Sequence, residues 1–188
     1  MKKISIVFIL LAFCSLVIPA TAEFDKIPLG PYNISFDLGY PKASYWIKAD
    51  DLPEVTESLA GDVTTKYVVN LGNKLNTTRI ITISATLYDT NQIATPDNIT
   101  GNLRMTLLSG AISGNYSIDN IDSANRIIDG HEGGIAYMKI SKDDQAAFRY
   151  FAGYFATPRL FVRILSSYPW NEGTLDLLKT IHIEKLQS

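Results

Sequence analysis

The chain has 188 residues, 46% of them hydrophobic and 19% charged, with a formal net charge of −2 and one cysteine. That length and apolar content suit a single domain with a sizeable core. Basic residues are scattered rather than gathered into a stripe, which argues against nucleic-acid binding, and one cysteine excludes a disulfide framework, cysteine-based zinc sites and iron–sulfur clusters.

At the N-terminus, Lys2 and Lys3 precede an apolar run from Ile4 to Ile18, and Ala20-Thr21-Ala22 has the small-x-small pattern of a cleavage site. Residues 1–22 therefore read as a secretory signal peptide, and residues 23–188 as one domain. The alternative is a retained anchor, but the fifteen residues from Ile4 to Ile18 fall short of the roughly twenty that span a bilayer. Cys14 lies inside this run behind Phe13, where a lipoprotein site needs a small residue. Cleavage leaves no cysteine, no transmembrane segment and 15 basic against 19 acidic side chains, a net charge of −4. The expected location is secreted or extracytoplasmic, at the cell surface.

Leu29 to Leu38 alternates Tyr32, Ile34, Phe36 and Leu38 with Asn33, Ser35 and Asp37, the period-two pattern of a strand with one buried face. Ser44 to Ala49 reads as its hairpin partner or as an edge segment, and the acidic stretch from Asp50 to Asp62 as a loop. Thr64 to Leu71 and Arg79 to Tyr88, rich in Val, Ile and Thr, enclose Gly72 to Asn76 and predict a hairpin. Thr95 as cap, Pro96 in the first turn and Asp97 at the positive end of the dipole predict a helix. Its apolar positions are Ile99, Leu103, Leu107 and Leu108, and Gly110 is its expected stop.

Ser123 to Ile128 and Ile135 to Ser141 read as strands around a glycine-rich loop, Asp129 to Gly134, and Lys142-Asp143-Asp144 as a charged turn. The densest aromatic stretch follows. Phe148 to Ala156 and Arg159 to Ser166 flank Thr157-Pro158 and predict a hairpin whose arms are apolar on both faces, as in central strands covered on both sides. Asn171 to Ile181 reads as a helix with Asn171 as cap, and Thr180 to Glu184 as a short extended tail.

This order of elements resembles the PsbP family, the extrinsic proteins of photosystem II and their exported relatives. The resemblance rests on Ile127-Ile128-Asp129-Gly130 before a strand, on the hairpin from Phe148 to Ser166, and on Trp170-Asn171-Glu172-Gly173 before the last helix. It implies an α+β fold, an α/β/α sandwich with a central antiparallel β-sheet covered by short helices, in a non-catalytic cell-surface protein. The basic docking surface of the plant members is not seen in this acidic chain, so their role is not carried over.

Three groups of residues carry possible chemistry. Asp129, His131 and Glu132 place three donors within four residues and form a candidate divalent-cation site, against the alternative of solvated residues at a hairpin tip. Asn76, Asn115, Asn98 and Asn33 begin Asn-x-Ser/Thr sequons, candidates for glycosylation, with Asn76 the first expected. His182, between Ile181 and Ile183, reads as a rim residue. No G-x-S-x-G elbow occurs, and the pairs Asp50-Asp51 and Asp143-Asp144 fall in expected loops. The leading expectation is an exported, non-enzymatic interaction or accessory module with an unidentified protein partner at the cell envelope and no cofactor. The alternatives are a small-molecule or divalent-cation-binding extracytoplasmic protein, and a hydrolase.

Overall fold

The computed structural model describes residues 25–142 and 145–186, so the expected signal segment and the Asp143-Asp144 turn lie outside the described residues. Two antiparallel sheets form the frame of the described residues. The larger is built from β3 (Tyr45–Ala49), β4 (Glu54–Glu57), β5 (Val63–Asn73), β6 (Ile80–Tyr88), β7 (Ser117–Ile128), β8 (His131–Lys142), β9 (Gln145–Thr157) and β10 (Leu160–Ser166). Its strand order is β3-β5-β6-β10-β9-β8-β7, with β4 lying beyond β3 along the same side of β5. The smaller sheet pairs β1 (Asp25–Leu29) and β11 (His182–Lys185) on either side of β2 (Tyr32–Phe36). Among the described residues two α-helices complete the fold, α1 (Pro96–Ser113) and the six-residue α2 (Leu175–Thr180).

The expected α/β/α sandwich is not what forms. One face of the large sheet meets the small sheet and α2; the other meets α1, so the fold is mainly antiparallel β with a helix on one side. Two local features explain the difference. A turn at Gly30-Pro31 cuts off the start of the expected strand from Leu29 to Leu38, so that its remainder, β2, pairs on one side with β1 before the turn and on the other with the C-terminal β11. Gly30 sits at φ 63°, and a Cβ there would stand 2.3 Å from the Tyr67 ring, so only glycine makes this turn against β5. The expected C-terminal helix begins instead as a π-turn at Trp170–Thr174, broken at Gly173 with φ 117°, and Asn171 does not cap it.

β9 and β10 hold interior places in the large sheet, and their alternate residues feed two separate cores. Ala152, Tyr154, Leu160, Val162 and Ile164 meet Ile34 and Phe36 of the small sheet and Leu177 of α2. Phe151, with Phe155 and Phe161 beside it, meets Ile99, Leu103, Leu107 and Ala111 of α1. The ribbon is apolar on both faces because each face is roofed, and each fully buried Ile or Val contributes about 1.5–3 kcal/mol.

Helix α1 starts where the sequence places it. The Thr95 side chain accepts from the Asn98 N–H at 3.3 Å, Pro96 opens the helix and Asp97 sits in the first turn. It passes the expected stop at Gly110 and ends at Gly114, burying Ile99, Leu103, Leu107 and Ala111 against the sheet. The β5–β6 hairpin forms as expected, whereas Ser44 to Ala49 pairs with β5 rather than with β2, and the expected loop from Asp50 to Asp62 contains the exposed edge strand β4.

Candidate functional site

The glycine-rich loop expected over Asp129 to Gly134 is a two-residue turn. Asp129 at φ 52° and Gly130 at φ 74° make the left-handed pair that a right-twisted hairpin favours, and His131 already pairs with Ile128 at the start of β8. The other two glycines serve packing. A Cβ on Gly134 would come within 2.6 Å of the Thr100 methyl and 3.1 Å of its backbone nitrogen, and one on Gly133 within 2.4 Å of the Gly153 carbonyl oxygen. Helix α1 therefore rests directly on β8.

Strand alternation then separates the expected cation ligands. Ile135 belongs to the core under the small sheet and Ala136 to the core under α1, so His131 faces the small sheet and Glu132 faces the helix side. Asp129 and His131 stay together and Glu132 leaves them. Among the described residues no group of three or more His, Cys, Asp and Glu side chains is arranged to hold a metal ion.

Asp129 instead gathers three groups from two elements, β9 and β11. Its Oδ1 lies 2.7 Å from His182 Nδ1, and its Oδ2 accepts from Tyr154 Oη at 3.1 Å and from the backbone N–H of Ile183 at 3.1 Å. The Asp129 side chain is only 10% exposed, while that of His182 is 57% exposed. A tight turn of the large sheet is thus fastened to β11 of the small sheet, with the central strand β9 as the third point. Burial first, and the Asp129 charge second, hold the Tyr154 hydroxyl far above the usual tyrosine range, so it stays a donor. The His131 ring stacks on Tyr154, with centroids 5.7 Å apart and planes at 12°.

Asp129, His131, His182 and Ile183 border a cleft of about 640 Å³ between the two sheets, in the size range of small-molecule sites. Tyr32, Arg159, His131, His182 and Lys185 line it with Asp129. Arg159 Nε donates to the Tyr88 carbonyl at 2.9 Å, which holds the guanidinium across the mouth. Burial raises the Tyr32 hydroxyl, Tyr67 raises it further, and the positive charge of Arg159 opposes both.

The arrangement has a definite chemical character. With Asp129 ionised, His182 carries its proton on Nδ1 and turns Nε2, a lone-pair acceptor, away from the carboxylate. Both Asp129 oxygens are already engaged, so the groups left for a ligand are an imidazole acceptor, a phenol, a guanidinium and an ammonium. The sequence singles out Asp129 and His131 and misses His182, Tyr154 and Arg159 as partners. The expected rim position of His182 is correct as to exposure, but its bond to Asp129 spans 53 residues and leaves no mark in local spacing.

The sequons fall on different surfaces. Asn76, Asn98 and Asn115 are exposed, whereas Asn33 is half-buried in the central strand of the small sheet. Asn76 Oδ1 accepts from Thr78 Oγ1 at 2.7 Å, so the asparagine and the hydroxyl of that sequon are already in contact. Asn115 takes φ 54°, a left-handed position that asparagine tolerates. Among the described residues no helix is long and apolar enough to cross a membrane. No protein-family model matches the chain, and no curated protein sequence matches it significantly.

Proposed function

We propose that the protein is an exported, non-enzymatic binding domain whose inter-sheet cleft takes a small molecule bearing a carboxylate and a hydroxyl or amino group. The observation that carries this reading is the three-point hold on Asp129, which fixes His182 at the cleft rim with Nε2 ready to accept a hydrogen bond. Arg159 and Lys185 supply the positive charge for the carboxylate, and the His131 ring, backed by the buried Tyr154, supplies a flat wall. Site and scaffold are held by strands rather than by long loops, which suits a preformed pocket.

The test is calorimetry of the protein against a panel of small hydroxy and amino acids, with simple monocarboxylates and sugars as comparators. A member of the first group should bind, and Arg159→Gln or His182→Ala should weaken it at least tenfold while leaving the melting temperature within a few degrees. If no hydroxy or amino acid binds, or if Arg159→Gln and His182→Ala leave the affinity unchanged, the reading fails. Turnover of a bound compound would replace it with a hydrolase-type role for His182 as general base.

A further inference from the structure

On the opposite face of the large sheet, a second concavity has a different chemistry. Between α1 and the strands lies an apolar slot of about 250 Å³, walled by Leu107, Ala111, Met138, Ile140, Phe151 and Leu165. It opens at Tyr116 and Arg149 onto a wider cavity of about 580 Å³, which those two residues also line. That cavity collects positive charge. Arg79, Lys142 and Arg149 line it, and no carboxylate does among its described lining residues.

Each of the three cations is positioned. Lys142 Nζ donates to the Gly114 carbonyl at 3.2 Å and lies 5.2 Å from the Tyr116 ring centroid. Arg149 donates to the Phe148 carbonyl at 3.0 Å. Arg79 pairs with Glu172 at 2.8 Å, the one ion pair that reaches this mouth among the described residues. In a chain with a net negative charge, a basic mouth joined to an apolar slot calls for a ligand that is itself divided in the same way.

We infer that this groove binds a free medium-chain fatty acid, its alkyl tail in the slot under α1 and its carboxylate among Arg79, Lys142 and Arg149. Length follows from volume. A water molecule takes about 30 Å³ of liquid, and a methylene is of similar size, so the slot accepts a single chain of about eight carbons. One slot of this depth suits a free single-chain acid and not a two-chain membrane lipid. The site is independent of the Asp129 cleft, since α1 and the small sheet lie on opposite faces of β8 and β9.

A chain-length series tests the inference. Calorimetry with butyrate, hexanoate, octanoate and dodecanoate should show affinity rising about fourfold per added methylene, levelling off near eight carbons. Octylamine should not compete with octanoate, and Arg149→Gln should erase the preference for octanoate over octanol. Gly110 lines the slot and faces open space, and a larger residue there also favours the helix, so Gly110→Phe should block octanoate while the fold stays intact. Leu165→Asn, at a site already 39% exposed, should weaken octanoate binding without disturbing the core. Asp129→Asn should leave it unchanged, which separates this site from the cleft. The inference is overturned if butyrate and octanoate bind alike, if octylamine competes equally, or if Gly110→Phe leaves octanoate binding intact. Sedimentation with anionic phospholipid vesicles in the absence of octanoate binding would also overturn it.

Discussion

Replacing Asp129 separates its two jobs, holding the sheets together and setting the tautomer of His182. In Asp129→Ala, the buried Tyr154 hydroxyl loses its acceptor, an unsatisfied group worth about 1–3 kcal/mol, and the Ile183 N–H loses a bond worth about 1 kcal/mol. A left-handed alanine at φ 52° adds about 1–2 kcal/mol. The exposed His182 contact contributes little. The total is about 4 kcal/mol, or a fall of about 8–16 °C in melting temperature for a domain of this size. Asp129→Asn behaves differently. Its oxygen can still accept from Tyr154 and Ile183, its amide can donate to His182 Nδ1, and asparagine tolerates the left-handed turn, so the cost should be about 1 kcal/mol. Tyr154→Phe placed on the alanine variant should recover about 1–2 kcal/mol by removing the orphaned hydroxyl. Urea unfolding followed by circular dichroism measures all four proteins. If alanine and asparagine cost the same, or if Tyr154→Phe further destabilises the alanine variant, the three-point hold is not what the geometry indicates.

Further consequences can be measured separately. Tyr154 keeps its proton in the folded protein above the ordinary tyrosine value of about 10, whereas the unfolded chain sheds it there. Its contribution is therefore complete below pH 10 and lost above it, at up to about 1.4 kcal/mol per pH unit. Tyr154→Phe should make alkaline unfolding less steep by about one proton; an unchanged slope would contradict the assigned burial. Gly134→Val should push α1 off the sheet through Thr100 and cost several kcal/mol, and a variant as stable as the parent would refute that close contact. The Tyr168 hydroxyl is buried without a hydrogen bond of good geometry, an approach by the Asn73 side chain notwithstanding. Tyr168→Phe should therefore be neutral or stabilising in thermal denaturation, and a loss above about 1 kcal/mol would show that the hydroxyl is satisfied. In a host that glycosylates exported proteins, mass spectrometry should find glycan at Asn76 before Asn33, whose strand is paired on both sides.

What the sequence discloses is governed by the range of each signal. The ribbon from Phe148 to Ser166 is legible because apolar residues on both faces of a strand require a roof on both faces. Its neighbours β6 and β8 provide the pairing, while the small sheet and α1 provide the cover. The start of α1 is legible because Thr95, Pro96 and Asp97 act within one turn. Glycine is where local reading fails, since the same residue serves turns and close packing. Gly130 bends the chain, whereas Gly133 and Gly134 only make room for Gly153 and Thr100. Gly30 is passed over when the strand that alternates from Tyr32 to Leu38 is carried back to Leu29 over its turn, and the second sheet is missed with it. The candidate site divides in the same manner. Asp129 and His131 stand out because they adjoin a turn, but His182 reaches Asp129 only after β11 has paired with β2.

The claim on which the site depends is that Asp129 fixes the His182 ring with its proton on Nδ1. Long-range proton–nitrogen NMR of the imidazole reads this directly at a pH where His182 is neutral. The expected spectrum shows Nδ1 protonated and Nε2 bare in the parent protein, with the two exchanged in Asp129→Asn. A ring protonated on Nε2 in both proteins, or averaging freely in both, would contradict the account.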